Sequence, residues 1–281
     1  MHDVFYFTDI HGSLDFYTAI KQWCFKQDKE CTIVFGGDAC DRGPNGYQII
    51  KDMLDDPQIL YLKGNHEDLF VKAAKELIEY YSDDLYNCHD EKAVDNLINN
   101  CNTYNINLHC RNGGYSTLRD WLFDDANEEI INKIDALPVT AIHENIDFCH
   151  AGGVWSAFED VHNAEYSGIH PAPWALDKCL WDRNSIAVGW QTNRICVHGH
   201  TPTIYLPRGI YGNNQNEEKA HPCAWQDHMG LKKKRSGWKI DMDTGAIFSN
   251  RAYVLNILTL TTYGFKKHNN TIELFEEYKI L

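Results

Sequence analysis

No run of apolar residues in this chain approaches the length of a membrane span, so a bilayer-crossing helix is not expected. The start, Met1-His2-Asp3, has neither a basic cluster nor a small-residue cleavage site, which argues against a secretory signal peptide. No two of the ten cysteines stand in C-x-x-C spacing. Together these absences point to free thiols and a cytoplasmic, reducing location, with Cys31, Cys149 and Cys196 as small buried hydrophobes. Basic residues are few: 26 Lys and Arg face 40 Asp and Glu, leaving a formal charge of −14. Such a chain repels phosphate backbones and anionic bilayers, so nucleic acid and membrane are not expected partners. A small phosphorylated ligand stays open, because it needs only local positive charge. No repeat or linker composition divides the 281 residues, and a hydrophobic content of 43% supplies a core. Residues 1–281 therefore read as one α/β domain, its oligomeric state unspecified.

What is present is a series of apolar, β-branched runs that end abruptly in polar residues. Residues 3–8 read as a strand running into Asp9-Ile10-His11-Gly12, where extended backbone would aim Asp9 and His11 to one side. Ser13 then caps a helix with apolar positions at Leu14, Tyr17, Ile20 and Trp23. Residues 31–35 read as a second strand, stopped by glycines and delivering Asp38, Asp41 and Arg42 in Gly37-Asp38-Ala39-Cys40-Asp41-Arg42-Gly43. A helix over 47–54 and a strand over 59–62 lead to Gly64-Asn65-His66-Glu67. Strand–helix alternation predicts parallel crossover units, whose loops open on one edge.

Residues 68–137 read as a mostly helical, acidic insertion, a cap or specificity surface, broken at Asn112-Gly113-Gly114 and without a ligand-like cluster. His89 and His109 read there as ordinary surface or core histidines. Strands return at 139–142 and 146–149, the latter delivering His150. Trp181-Asp182-Arg183 follows a Pro-rich loop, and 195–197 leads into His198-Gly199-His200-Thr201-Pro202. Runs at 238–241 and 253–258 read as strands closing a second sheet. The stretch 207–237 has little periodicity and reads as a long functional loop. Its Lys232-Lys233-Lys234-Arg235 reads as a solvated run rather than a localisation signal. His221, Cys223 and His228 have zinc-like spacing but no evident fourth partner.

Six strand-end side chains are candidate metal ligands: Asp9, His11, Asp38, Asn65, His150 and His200. They are too many for one tetrahedral zinc, and the mixed oxygen and nitrogen set suits manganese first, with iron or zinc as alternatives. Two ions would use them all if Asp38 bridges, one taking Asp9, His11 and Asp38, the other Asp38, Asn65, His150 and His200. Two divalent ions, two aspartates and a bridging hydroxide leave a positive centre that attracts phosphate and activates water. Arg42 and Arg183 can hold phosphate oxygens by forked hydrogen bonds. His66, barred from its neighbour's metal, is free to act as general acid, oriented by Asp41.

These motifs, together with Cys149-His150-Ala151, Leu180-Trp181-Asp182-Arg183 and Asp243-Thr244-Gly245-Ala246-Ile247-Phe248, resemble the calcineurin-like metallophosphoesterases. More narrowly the chain resembles the phosphoprotein phosphatases, in particular the compact bacterial and bacteriophage Ser/Thr enzymes, over nearly its whole length. The resemblance implies a two-sheet α/β/β/α sandwich with a dinuclear centre between the sheets and the residue roles above. It implies hydrolysis of phosphoserine and phosphothreonine, and of phosphotyrosine or small esters as further possibilities, by direct attack of a metal-bridging hydroxide. Partners would then be a phosphorylated protein or small phosphoester. Symmetrical dinucleoside tetraphosphate hydrolases are similar too, but typically lack the Asp41 equivalent and carry Asp in place of Glu67. An inactive phosphate-binding scaffold is the remaining alternative, although such copies usually lose ligands. His198 matches no ligand of the family and reads as supporting structure. Thr8 stands where the family usually has glycine, and Ser249-Asn250 replaces a Gly-containing pair; both bear on local shape only.

Overall fold

Strand β1 (Val4–Phe7) is buried on both faces. Its odd residues Phe5 and Phe7 enter one apolar cluster, and its even residues Val4 and Tyr6 enter another. The same period-2 split recurs in β2 (Thr32–Phe35), where Ile33 and Phe35 face the first cluster and Val34 the second. A strand with two apolar faces needs a covering layer on each side, and the architecture follows from that requirement. The computed structural model describes residues 2–85, 90–186, 188–206, 220–225 and 237–281.

Helix α1 (Leu14–Gln27) links β1 to β2, and α2 (Gly46–Asp55) links β2 to β3 (Ile59–Tyr61). Both strand pairs are parallel, in register Val4↔Thr32 and Ile33↔Ile59. A block of helices follows: α3 (Asn65–Leu85), α4 (Glu91–Asn100), α5 (Tyr104–Arg111), α6 (Tyr115–Phe123) and α7 (Glu128–Asp135). Phe70, Trp121 and Ile131 from this block join Phe16, Ile20 and Ile49 against the first face of the sheet.

The second sheet begins with the hairpin of β4 (Thr140–His143) and β5 (Ile146–Cys149). Helices α8 (Trp155–Ser167) and α9 (Pro173–Trp181) precede β6 (Ile195–His198), and a 3-10 turn at Thr203–Tyr205 follows it. With β7 (Cys223–Trp225) and β8 (Trp238–Asp241), the strand order is β4-β5-β6-β8-β7. Phe148, Val197 and Ile240 pack against Tyr6 and Val34 between the sheets, while Cys149 and Cys196 face Phe158 and Leu180 of the outer helices. The layers are therefore α/β/β/α.

One expectation is corrected. The run at 253–258 does not close the second sheet. The short helix α10 (Ala246–Ser249) is flanked by Gly245 and Asn250, both in left-handed conformation, and it turns the chain back to the first sheet. There β9 (Arg251–Asn256) pairs antiparallel with β1, in register Tyr6↔Leu255. Strands β10 (Thr261–His268) and β11 (Thr271–Lys279) extend that sheet to the order β11-β10-β9-β1-β2-β3.

Most of the loop expected at 207–237, with His228 and Lys232 to Arg235, lies outside the described residues, as does His89. Its described piece, 220–225, carries β7. Among the described residues no helix is long and apolar enough to cross a membrane, and Cys24, Cys31, Cys40, Cys110, Cys149, Cys179 and Cys196 are free thiols.

Phe148 stacks on Tyr6 at 5.5 Å between the sheets, with 1% of its surface exposed. Phe148→Ala should lower unfolding free energy by about 3–5 kcal/mol through lost burial and the cavity left behind. Urea unfolding of wild type and variant checks this.

Candidate metal centre

Loops from both sheets meet at the carboxyl ends of the strands. The first two loops are laced together: Asp9 N donates to Gly37 O at 3.1 Å, His11 N to Asp38 O at 3.0 Å and Gly12 N to Ala39 O at 2.7 Å. The third is fastened by Glu67, which is fully buried. Its carboxylate accepts from Asp38 N, Ala39 N and Gly64 N at 2.8 Å each, and from the Tyr61 hydroxyl at 2.9 Å. Four donors on one buried anion fix the β2 and β3 loops relative to each other.

The backbone of these loops is not extended, as the Asp9–His11 spacing suggested. Asp9 (φ 55), His11 (φ 46), Asp38 (φ 60), Asp41 (φ 68), Arg42 (φ 64) and His200 (φ 73) all sit in the left-handed region. Each such non-glycine residue costs about 1–3 kcal/mol and persists only where its surroundings fix it. The lacing above is that fixation. Left-handed turns, not strand pleating, aim these side chains.

All six expected ligands converge. Asp38 belongs to two groups, His11–Asp38–His66 and Asp38–His150–His200, whose ligand atoms lie within 4.8 Å of one another. Asp38 Oδ2 is 3.7 Å from His11 Nε2, and Asp38 Oδ1 is 3.3 Å from His150 Nε2. Asp9 Oδ1 is 4.0 Å from His11 Nε2. The Asn65 amide oxygen lies 2.9 Å from His150 Nε2 and 2.8 Å from His200 Nδ1. His11 Nδ1 donates to Cys40 O at 3.0 Å and His150 Nδ1 to Gly36 O at 2.9 Å. These outer bonds fix each ring's orientation, so that Nε2 of each points inward. A side chain on two of the glycines would fill the pocket: a Cβ at Gly64 would meet Asp38 Oδ1 at 2.3 Å, and one at Gly199 would meet Asp9 Oδ2 at 2.1 Å. His221 and Cys223 enter neither group; His221 Nδ1 is instead 2.9 Å from the Tyr253 hydroxyl and 3.1 Å from Glu276.

The electrostatics fit a cation. Burial, reinforced by Asp38 and opposed by His150, pushes Asp9 up to about 6. Burial would raise Asp38 too, but His150, His66 and His11 outweigh it and hold the carboxyl well below the usual range. Burial would lower His150, but Asp38 and Asp9 push it up to about 10. Burial, with His66 and Arg42, drives His11 down to about 3. Two dry carboxylates and three convergent imidazoles are costly together unless a positive charge is shared among them, and their nitrogen and oxygen donors suit divalent ions.

His66 and Arg42 stand at the same pocket. His66 Nδ1 donates to Asp41 Oδ2 at 2.7 Å, and its Nε2 faces inward. Arg42 Nη1 lies 2.6 Å from His11 Nε2, and its Nη2 lies 2.9 Å from His66 Nε2. Arg183 is exposed, its Nη1 donating to Thr201 Oγ1 at 3.1 Å beside His200. His198 joins neither metal group; its ring packs edge-on against Trp225 at 5.6 Å, and burial, with Lys239, pushes it down to about 4.

Three supports were missed in the sequence. Glu67 counted there only in telling two similar families apart, with no structural role. Thr8, read as a matter of local shape, donates from Oγ1 to Asp9 Oδ2 at 2.7 Å and so fixes a candidate ligand. His109, read as an ordinary histidine, is fully buried with Nε2 2.9 Å from Asp41 Oδ1. A histidine preceding a double-glycine break was the only signal available.

An α/β/β/α sandwich with a His/Asp metal pocket at its strand ends is an arrangement suited to metal-dependent hydrolysis. The chain matches the model of the calcineurin-like phosphoesterases over residues 3–163, and it belongs to that family. A comparison with curated proteins returns no match. Among solved structures, the protein serine/threonine phosphatase of Saccharomyces cerevisiae is 13% identical, over 100% of this chain and 80% of that one, with a TM-score of 0.45. The cold-active protein-tyrosine phosphatase of a psychrophilic Shewanella is 15% identical, over 98% and 81%, at 0.47. A candidate diadenosine tetraphosphatase is 15% identical, over 98% and 93%, at 0.45.

Glu67→Gln replaces one acceptor oxygen by a donor and strands at least one buried N–H. It should destabilise the metal-free protein by about 2–5 kcal/mol and weaken metal binding by about 10–100-fold. Denaturant unfolding and metal titration measure the two effects separately.

Proposed function

We propose that this phosphoesterase is a metal-dependent phosphoprotein phosphatase acting on phosphoserine and phosphothreonine, with phosphotyrosine and small phosphoesters as further substrates. The observation that carries the reading is the His66–Asp41 pair, 2.7 Å apart beside the metal pocket. Serine and threonine leave phosphorus as alkoxides, which need a proton as the bond breaks. A phosphoanhydride leaves as a phosphate, whose last ionisation lies near neutral pH, and needs none. A histidine held by a buried carboxylate is a device for the first kind of leaving group.

In this reading Asp9, His11, Asp38, Asn65, His150 and His200 would hold two divalent ions, manganese first and iron or zinc as alternatives. The ions would supply Lewis acidity at phosphorus and a nucleophile at neutral pH. Arg42 binds phosphoryl oxygens from inside the pocket and Arg183 from its rim. Asp41 takes the Nδ1 proton of His66 in a hydrogen bond, so the exchangeable proton sits on Nε2, facing the leaving oxygen. Burial opposes a charged imidazole at His66, but Asp38 and Asp41 outweigh it and raise its pKa.

Turnover of a phosphopeptide should exceed that of a dinucleoside tetraphosphate in the presence of manganese; the reverse order would replace this reading by nucleotide hydrolysis. No hydrolysis of an aryl phosphate with any divalent ion, matching an Asp38→Asn control, would make the chain a scaffold. His66→Asn should keep its metal content and lose turnover by about 10²–10⁴-fold, more for poor leaving groups. His150→Ala should instead lose metal, read by elemental analysis.

A further inference from the structure

The helical block over α3 to α7 reaches into the pocket at one place. Asp41 is fully buried, and only one of its carboxylate oxygens serves His66. The other, Oδ1, accepts from His109 Nε2 at 2.9 Å and from Thr117 Oγ1 at 2.7 Å. Thr117 Oγ1 in turn accepts from Asp41 N at 3.1 Å, so one hydroxyl grips residue 41 by both backbone and side chain. Two further bonds come from the same turn: Arg42 N donates to Gly113 O at 2.9 Å, and Ser116 Oγ donates to Gly43 O at 3.0 Å.

We propose that His109 and Thr117 are positioning residues for the proton donor: they hold Asp41 so that Asp41 can aim His66. The inference rests on the reading of His66 as general acid. Asp41 and Arg42 are both left-handed non-glycine residues, and the bonds from 113, 116 and 117 hold that strained pair in place. His109 is itself held, stacked on Phe70 with ring centroids 5.7 Å apart and planes at 29°. A Cβ at Gly114 would lie 2.2 Å from its ring, so the glycine admits the imidazole to this spot. His109 Nδ1 is buried without a hydrogen-bond partner. A half-satisfied imidazole is a poor choice for packing alone, since a leucine would fill the space without an orphaned nitrogen. Its one satisfied nitrogen is spent on Asp41. Arg42, the proposed phosphate ligand, rides on the same clip through Gly113.

The test uses the full chain saturated with manganese and two aryl esters, 4-nitrophenyl phosphate (good leaving group) and phenyl phosphate (poor). Thr117→Val is close to isosteric and removes the hydroxyl; Thr117→Ser restores it; His109→Leu removes the second donor without adding volume. Metal content and unfolding midpoint are recorded for each. Thr117→Val and His109→Leu should each lower kcat on phenyl phosphate by about 10–100-fold, and on 4-nitrophenyl phosphate by less than about 3-fold. Thr117→Ser should recover most of the loss. In a His66→Asn background the same changes should cost nothing more on phenyl phosphate, because the path they act through is gone. Equal losses on both esters, or undiminished losses without His66, would reduce His109 and Thr117 to structural parts. A His66→Asn enzyme that itself loses equally on both esters would remove the acid assignment, and this inference with it.

Discussion

Asp38 places a carboxylate where water cannot screen it, between two sets of imidazoles, and the rest of the molecule is arranged to make that tolerable. Its oxygens lie 3.7 Å from His11 on one side and 3.3 Å from His150 on the other. Its backbone N–H is held by Glu67, and one of its oxygens accepts from His66 N at 3.0 Å. Every one of these partners comes from a different strand end or from the helix that follows one. A charge of this kind cannot be stabilised by local sequence. It exists only when β1, β2, β3, β5 and β6 end at a common level.

That requirement links the centre to the two-sheet architecture. The first sheet contributes Asp9, His11, Asp38, Asn65 and His66; the second contributes His150 and His200. His150 Nδ1 donates to Gly36 O across the gap, and His200 N lies 3.1 Å from Asp9 Oδ2. The sheets are therefore tied by polar bonds at the rim as well as by the apolar layer of Tyr6, Val34, Phe148 and Val197 below it. An ion gripped from both sides binds the assembled sandwich and not the separate sheets. Ion binding and fold stability would then be thermodynamically linked.

The strand-end residues were legible because β-branched runs that stop at glycine are readable, and an acid or histidine just beyond such a stop is conspicuous. What could not be read falls into two kinds. The first is backbone conformation at non-glycine positions: nothing in Asp9-Ile10-His11 signals a left-handed turn, since the lacing to 37–39 imposes it. The second is approach across long separations. His109 lies 68 residues from Asp41, and no local pattern relates them. β9 was assigned to the wrong sheet for a similar reason: a short strand buried on both faces suits either sheet, and the turn from Gly245 to Asn250 decides which it joins.

Thr8 shows how a support can be added beside a candidate ligand without changing the ligand itself. Its hydroxyl reaches Asp9 Oδ2 at 2.7 Å, while Gly37 O lies 3.2 Å away. Its methyl sits so close that a Cβ on Gly199 would meet it at 2.6 Å. Thr8 thus adds a donor to a carboxylate that burial pushes toward protonation, and it does so in space left by the glycine before His200. The chain as a whole carries a formal charge of −14, which repels a phosphate approaching at random. Screening confines that repulsion to about 8 Å at physiological ionic strength. In the reading proposed above, attraction for the phosphate would then be generated within the pocket, by the cations and by Arg42 and Arg183. Fixing the charge and direction of Asp9 through Thr8 is part of generating it.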